Sequence, residues 1–409
     1  MTVRNLYAAL LALNLVGFSV VASLANSLGV LATPYAITMR AIVLGLSCAL
    51  LVMAVMRNHT ALSKSYFLLF FLLFWGVYLG RLFFDTSFRP SLLARDPKEY
   101  WIWAIGTCLT PALALLVKVK SEAFKIGYRL SLLFLIFSSF LIFLSGKTSY
   151  LSSSGIVQDI GRFNTESLNP ITIGHIGLTL TLLLGWLALM QTKTNFCKKR
   201  ILTFSGILLG LYLIISSASR GPIVTFFVVT FFYLLSVNLK KTWKPVVFFI
   251  LLLTIGYALA VHFEKLGRFS AVSRIESAFS ENDMAVVGRK TSYAGAWNQF
   301  LESPIVGDTL EERGTNFYPH NVILESFMAT GVMGGIPFLI MLALGIVSSN
   351  KLLKLKSVNG WVGLIFIQYF TAAQFSGAIY NTTIMWTFMS ATISCLYATK
   401  QEKNFEIIN

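Results

Sequence analysis

The sequence predicts an all-α integral membrane protein of about twelve transmembrane helices, with one large outer loop that contains an amphipathic helix. Two compositional facts and one pattern predict it. Of 409 residues, 56% are hydrophobic and only 12% are charged, about half the charged share of a soluble domain. Mean hydropathy is +0.72, so a chain of this length lacks the polar surface of two or three soluble domains. Apolar stretches approaching the roughly 20 residues that cross a bilayer recur at 6–25, 35–56, 66–84, 101–117, 130–146, 171–190, 201–217, 222–237, 245–262, 321–348, 361–379 and 382–399.

The first stretch has the look of a signal peptide, with Arg4 ahead of an apolar run and small residues around Ser23 and Ala25. Its removal would break the charge alternation that follows, so it is expected to remain as a span. Residues 1–262 then hold helices one to nine, 263–320 form the large outer loop, and 321–409 hold helices ten to twelve and a tail. Within the loop, residues 288–301 read as an amphipathic helix with Tyr293, Ala296, Trp297 and Phe300 on one face.

Charge orients the spans. Arg4, Arg57, Lys64, the run Lys118 to Arg129, the run Lys193 to Arg200, Lys240, Lys241, Lys244, Lys351, Lys354, Lys356, Lys400 and Lys403 fall on one side. By the positive-inside rule these segments and both termini face the cytoplasm. Nineteen basic residues stand there against three acids, and fourteen against fourteen on the other side. The net charge of +16 is therefore a topology signal, and a nucleic-acid partner is excluded as its explanation. The two sides also differ in kind: fifteen of the nineteen inner residues are Lys, whereas ten of the fourteen outer ones are Arg, namely 40, 81, 89, 95, 162, 220, 268, 274, 289 and 313. Guanidinium offers a planar fork for phosphate or carboxylate and tolerates partial desolvation. Some outer arginines pair with acids there; the remainder points to an anionic ligand at the outer leaflet.

No Cys/His cluster has metal-ligand spacing, no glycine-rich phosphate loop occurs, and no cofactor is expected. Cys48, Cys108 and Cys395 fall within spans and Cys197 in an inner loop, so no disulfide is expected.

The succession GR-x7-W at 288–297, SPIVG at 303–307 and YPHNVILESFMATGVMGG at 318–335 resembles the O-antigen polymerase and O-antigen ligase family. SASRGP at 217–222 resembles that family's second arginine site, and GRFNTESLNPITIG at 161–174 its Arg and Asn-Pro loop. The resemblance covers roughly residues 160–340 in motif and the whole chain in topology, and does not separate polymerase from ligase. It implies an enzyme of the bacterial inner membrane that acts at the periplasmic face. The donor would be a glycan on undecaprenyl diphosphate and the acceptor either a lipid-linked repeat unit or lipid A-core. Membrane lipids and a chain-length regulator protein would be its partners.

The residues agree with that chemistry. A lipid diphosphate leaves well once its charge is neutralised, so arginines can stand in for a metal ion, and the chain has no DxD motif. The expectation is a metal-independent, inverting glycosyltransferase. His320, between Pro319 and Asn321 at the start of a span, is the candidate general base. Glu325, one turn after Asn321, orients His320, pairs with an arginine or acts as the base itself. Arg220 and Arg289, with Arg40 inside the second span, are the candidate diphosphate ligands; Arg220 also precedes Gly221-Pro222 at a helix start, where free amides suit phosphate. Arg162 and Arg313 contact glycan or pair with Asp159 or Glu312. Tyr293, Trp297 and Tyr318 stack on sugars or anchor at the interface, and Asn321 completes the glycan set. His175 reads as a packed core histidine; His59 and His262 carry no signal. A transporter would place charge near the midplane, which these spans largely lack, and an export-complex scaffold would not need the arginine set.

Overall fold

The computed structural model describes residues 2–56, 66–149, 161–190, 197–237, 244–266, 272–273 and 284–408. Arg57, His59, Lys64, Asp159, Lys193, Lys240, Lys241, Arg268 and Arg274 lie outside the described residues.

Helix α1 spans Val3–Ser27, α2 Ala32–Met56 and α3 Tyr66–Phe88. A composite rod follows: α4 Pro97–Trp101, a π-helical segment Ile102–Leu109 and α5 Thr110–Ala114. Then come α6 Glu122–Ser145, α7 Pro170–Met190, α8 Cys197–Ser216, α9 Arg220–Ser236 and α10 Lys244–Lys265. The last four are α11 Met284–Glu302, α12 Val322–Lys354, α13 Trp361–Ala373 and α14 Thr383–Ile408. Strands β1 (Lys147–Ser149) and β2 (Arg162–Asn164) pair antiparallel, with Ser149 opposite Arg162. Among the described residues the remaining regular structure is helical.

Among the described residues, α1, α2, α3, α6, α7 and α12 are the six helices long and apolar enough to cross a membrane. Of the other expected spans, 101–117 falls on the interrupted π-helical rod, and 222–237 and 361–379 fall on the shorter helices α9 and α13. The chain is a multi-pass helical membrane protein. The expected eleventh span, 361–379, ends early: α13 stops at Ala373 and the chain turns through 374–382. There the Asn381 side chain accepts the Ala378 N–H at 3.1 Å.

Packing follows from side-chain placement. Phe71, Phe74, Trp75 and Tyr78 recur at helical spacing on α3 and are fully buried. They meet Trp386 of α14 and Phe338 of α12, with Trp75 and Trp386 centroids 4.9 Å apart and Phe74 and Phe338 5.0 Å apart. α7 and α8 instead approach backbone to backbone, since a Cβ on Gly177 would lie 2.6 Å from the Gly210 carbonyl oxygen. Small residues drive such contacts where lipid offers no hydrophobic gain.

The two ends sort as their charges do. At the lysine-rich end Arg4 pairs with Glu122 at 2.8 Å and the Asn359 amide donates to the Ser121 carbonyl at 3.1 Å. At the arginine-rich end the loop before α12 is bound into the bundle through a break in that helix. Gly331 leaves helical geometry (φ 58°, ψ −158°). The Pro304–Gly307 turn fills the gap: Val332 N–H donates to the Pro304 carbonyl at 2.8 Å, Met333 N–H to Ile305 at 3.2 Å, and Asp308 N–H to Met328 at 2.9 Å. Arg81 of α3 completes it, donating to the carbonyls of Ala329 (3.0 Å), Val306 (2.9 Å) and Gly307 (2.8 Å). Asp85, one turn on, accepts the Leu310 N–H at 2.9 Å and lies 3.6 Å from Arg81. Irregular backbone at membrane depth is tolerated where protein satisfies it, and here a turn and a guanidinium do so.

Candidate active site

His320 is the last residue before the N-cap of α12. Its backbone is left-handed (φ 57°), a conformation that costs a non-glycine residue roughly 1–2 kcal/mol. Asn321 returns the chain to extended geometry and caps α12, accepting the Leu324 N–H at 3.0 Å. The ring lies edge-on to Tyr318 (4.7 Å) and tilted to Phe317 (5.5 Å). Its Nδ1 is buried and has no hydrogen-bond partner, so aromatic contact rather than a carboxylate orients the imidazole. Burial, and then the nearby Arg289 guanidinium, lower its pKa to about 4. The ring is therefore neutral near pH 7 and able to accept a proton. An anion that bound Arg289 would remove the repulsion and make His320 more basic at that moment.

Arg289 and Tyr293 stand one turn apart on α11. Tyr293 lies beside Arg289 and Asn321, and its hydroxyl donates to the Gln374 carbonyl at 3.2 Å. The helix is longer than the expected 288–301, and its buried stripe is Ser292, Ala296 and Gln299. Of the expected apolar face, Ala296 is buried, Tyr293 and Phe300 are half-buried and Trp297 is 50% exposed. The stripe is set by Gln299, whose amide donates to Asp308 (3.2 Å) and Thr309 (3.0 Å) and accepts the Arg313 N–H (2.7 Å). Arg313 pairs with Asp308 at 2.8 Å and with Glu302. Its expected partner Glu312 instead accepts the N–H groups of Gly314 (2.8 Å) and Thr315 (2.7 Å).

Glu325 is buried, and both of its oxygens accept the Ile379 N–H at 3.0 Å. It joins α12 to the 374–382 turn, which carries two residues unforeseen in the sequence. Tyr380 packs on Tyr100 (4.7 Å) and Tyr318 (6.2 Å), and Asn381 lies beside the Tyr318 hydroxyl. Behind them Tyr100 donates to Glu311, with Arg95 close to Glu311 and Tyr380. Burial raises the Glu311 carboxyl to about 7 against the opposing effects of the Tyr100 bond and Arg95. Tyr100 and Glu311 are separated by 211 positions, and no local signal links them.

Arg220 opens α9 at a strained elbow. Ala218 is left-handed (φ 45°), and Ser219, at the N-cap, makes no side-chain capping bond. Arg162, from β2, joins it, donating to Ser219 Oγ at 2.7 Å and the Ser217 carbonyl at 3.4 Å. Two guanidinium groups thus reach one helix N-terminus, where backbone amides add to their attraction for anions.

Arg40 lies eight residues into α2, about 12 Å along the helix, because α2 begins at Ala32 rather than at the expected 35. Its guanidinium stacks on Trp103 at 3.9 Å. It lines a cavity of about 500 Å³ that none of Arg220, Arg289 and His320 lines. His175 and Asn381 line the same cavity. A Cβ on Gly221 would lie 4.0 Å from His175 Nε2, so the cavity borders the Arg220 elbow through His175 and the His320 cluster through Asn381.

The histidine, arginines and tyrosines of the site thus collect at one end of a multi-pass helical membrane protein. Residues 205–339, about a third of the chain, match the family model described as O-antigen ligase. Members of this family are glycosyltransferase-like enzymes of lipid-linked glycans. The matched segment contains Arg220, Arg289, His320, Glu325, Gly307 and Gly331; Arg40 and Arg162 precede it. No curated protein and no solved structure matches the chain.

Proposed function

We propose that the protein is an inverting, metal-independent glycosyltransferase of the bacterial inner membrane, crossing it about twelve times with both termini cytoplasmic. In this reading it polymerises surface-polysaccharide repeat units carried on undecaprenyl diphosphate at the periplasmic face. The observation that carries the reading is the juxtaposition of His320, just before α12, and Arg289, in the second turn of α11, a neutral imidazole beside a cation.

The donor diphosphate lies against Arg289 and the Arg220 elbow, where bidentate guanidinium contacts stabilise the charge that develops as it departs. The acceptor hydroxyl attacks the anomeric carbon from the opposite face. Its oxygen bonds that carbon as the carbon–oxygen bond to diphosphate breaks, and the electron pair leaves with the diphosphate. His320 takes the hydroxyl proton. Arg162, Tyr293, Tyr318, Arg313 and Asn321 line the path of the glycan; Trp297, exposed on α11, meets sugar or headgroup. Glu325 supports this arrangement by holding the 374–382 turn.

The second reading is O-antigen ligase, favoured by the description of the matched family model. Purified protein incubated with a lipid-linked repeat unit, with and without lipid A-core, separates the two. A ladder without the core acceptor identifies a polymerase, and transfer only in its presence a ligase. Full transfer by a normally inserted His320→Ala protein would remove the proposed base.

A further inference from the structure

We propose that the Arg40 cavity is a second lipid-phosphate site, which receives the phosphate-bearing headgroup of the acceptor, apart from the donor diphosphate at Arg220 and Arg289. The inference rests on the glycosyltransferase reading, which requires two lipid substrates to meet.

Three features mark the cavity as built for a ligand. Its volume of about 500 Å³ is that of a small-molecule site. Arg40 contributes a charge inside a span, which is costly in lipid and is kept where it meets a ligand or partner. Among the described residues no carboxylate lies within 4.0 Å of it, and its guanidinium carbon lies over the Trp103 ring. Asn14 and His175 also line the cavity, each only 8% exposed, and each holds a buried atom without a hydrogen-bond partner, Asn14 Oδ1 and His175 Nδ1. Buried polar atoms are normally satisfied. A guanidinium suits phosphate, and a carbonyl and an imidazole suit sugar hydroxyls.

Position agrees with composition. Side chains on a helix lean toward its N-terminus, so Arg40 leans toward the Ala32 end of α2, the arginine-rich end. Phe18 and Met39 in the wall offer apolar surface to the first carbons of a lipid tail. With His175 against the elbow and Asn381 beside Tyr318, a headgroup in the cavity directs its sugars toward His320 without occupying Arg220 or Arg289.

Phosphate on a lipid comes from a polyprenyl diphosphate or from a phosphorylated glucosamine lipid, and equilibrium binding separates them. Full-length protein in phosphatidylcholine nanodiscs is titrated with labelled, sugar-free undecaprenyl diphosphate and, separately, with lipid A. If the acceptor is polyprenyl-linked, wild type binds two undecaprenyl diphosphates per chain. Arg40→Gln and the Arg220→Ala/Arg289→Ala protein then each lose a different one. If the acceptor is a glucosamine lipid, wild type binds one undecaprenyl diphosphate, and Arg40→Gln weakens lipid A binding at least tenfold while leaving the first site intact. Arg40→Lys, which keeps the charge but not the fork, should fall between wild type and Arg40→Gln in either case. The proposal is overturned if Arg40→Gln and Arg40→Lys bind both lipids as wild type does, or if they lose the same site as the Arg220/Arg289 variant. Binding is read without turnover. A protein that shows the Arg40 site yet transfers no glycan therefore loses the glycosyltransferase reading, with the lipid-phosphate site intact.

Discussion

Gly307 and Gly331 meet backbone to backbone, each at a positive φ (73° and 58°), and each fills the place where the other's neighbours would strike a side chain. A Cβ on Gly331 would lie 2.7 Å from the Gly307 amide nitrogen and closer still to the Ile305 carbonyl. Gly331→Ala is therefore expected to destabilise the protein by more than the roughly 1–2 kcal/mol of left-handed backbone alone. Thermal unfolding in detergent checks this against Gly45→Ala, whose added methyl meets nothing within 4 Å. Equal midpoints would remove the docking contact.

Arg81 donates to three carbonyls on both sides of that contact. Arg81→Met leaves those of Ala329 and Val306 without a donor, at about 1–3 kcal/mol for each that stays buried, while Gly307 keeps the Ser303 hydroxyl at 2.7 Å. Arg81→Lys, with a point charge in place of a fork, should recover only part of the loss. Limited proteolysis of the 303–313 segment reports the outcome; cleavage in Arg81→Met at the wild-type rate would show that the clamp is dispensable.

The acid limb of the pH–activity profile should lie near 4 rather than near the ordinary histidine value of 6.5, because burial and Arg289 hold His320 neutral down to that range. Below it the ring is protonated and the base is lost. Arg289→Ala removes the second cause and leaves the first, so the limb should move upward but short of 6.5. The shape of kcat/KM against pH is the measurement, since Arg289→Ala also weakens donor binding. An unmoved limb would separate the two residues.

Glu311 provides the opposite sign. Its folded pKa, about 7, stands above its ordinary 4.5, so the stability it contributes is full below pH about 4.5 and is lost as pH rises through about 7. Each unit of difference corresponds to about 1.4 kcal/mol. Glu311→Gln, which retains an oxygen for the Tyr100 hydroxyl, should unfold at a higher temperature than wild type at pH 8 and lose that advantage at pH 5. An advantage at both pH values would assign it to packing.

Arg220→Lys tests the fork at the elbow. Donor affinity should fall about tenfold or more if a bidentate contact becomes a point charge, one charge-assisted bond being worth about 1.5–3 kcal/mol. Titration with labelled undecaprenyl diphosphate reads it, and unchanged affinity would exclude bidentate binding there.

Much of this was legible in the sequence because it is local. Apolar length marks the helices, and Asn321 is an N-cap by residue type and position. The turn at Pro304–Gly307 and the glycine at 331 stand in the motif itself. Their contact was not legible, because a Pro-x-x-Gly turn and a mid-span glycine each have many other uses. The early end of α13 was hidden by Ala378, Ile379 and Tyr380, apolar residues that continue the span in composition while Asn381 turns the chain. Glu325 offered three roles in sequence; its bond to Ile379, 54 positions away, is a long-range fact. The same holds for Tyr100, Glu311 and Arg95, which read as ordinary loop residues until the fold buries them together.

Arg81 precedes its carbonyl partners at 306, 307 and 329 by 225 or more positions. During synthesis α3 enters the membrane long before residues 304–332 leave the ribosome, so Arg81 waits without the contacts that finish it. Only when α12 arrives do the turn, the helix break and the guanidinium close on one another. The clamp can therefore close only late in synthesis: a chain ending at residue 328 contains Arg220, Arg289 and His320 and still lacks the Ala329 carbonyl and the Val332 and Met333 amides that join α12 to the 304–307 turn.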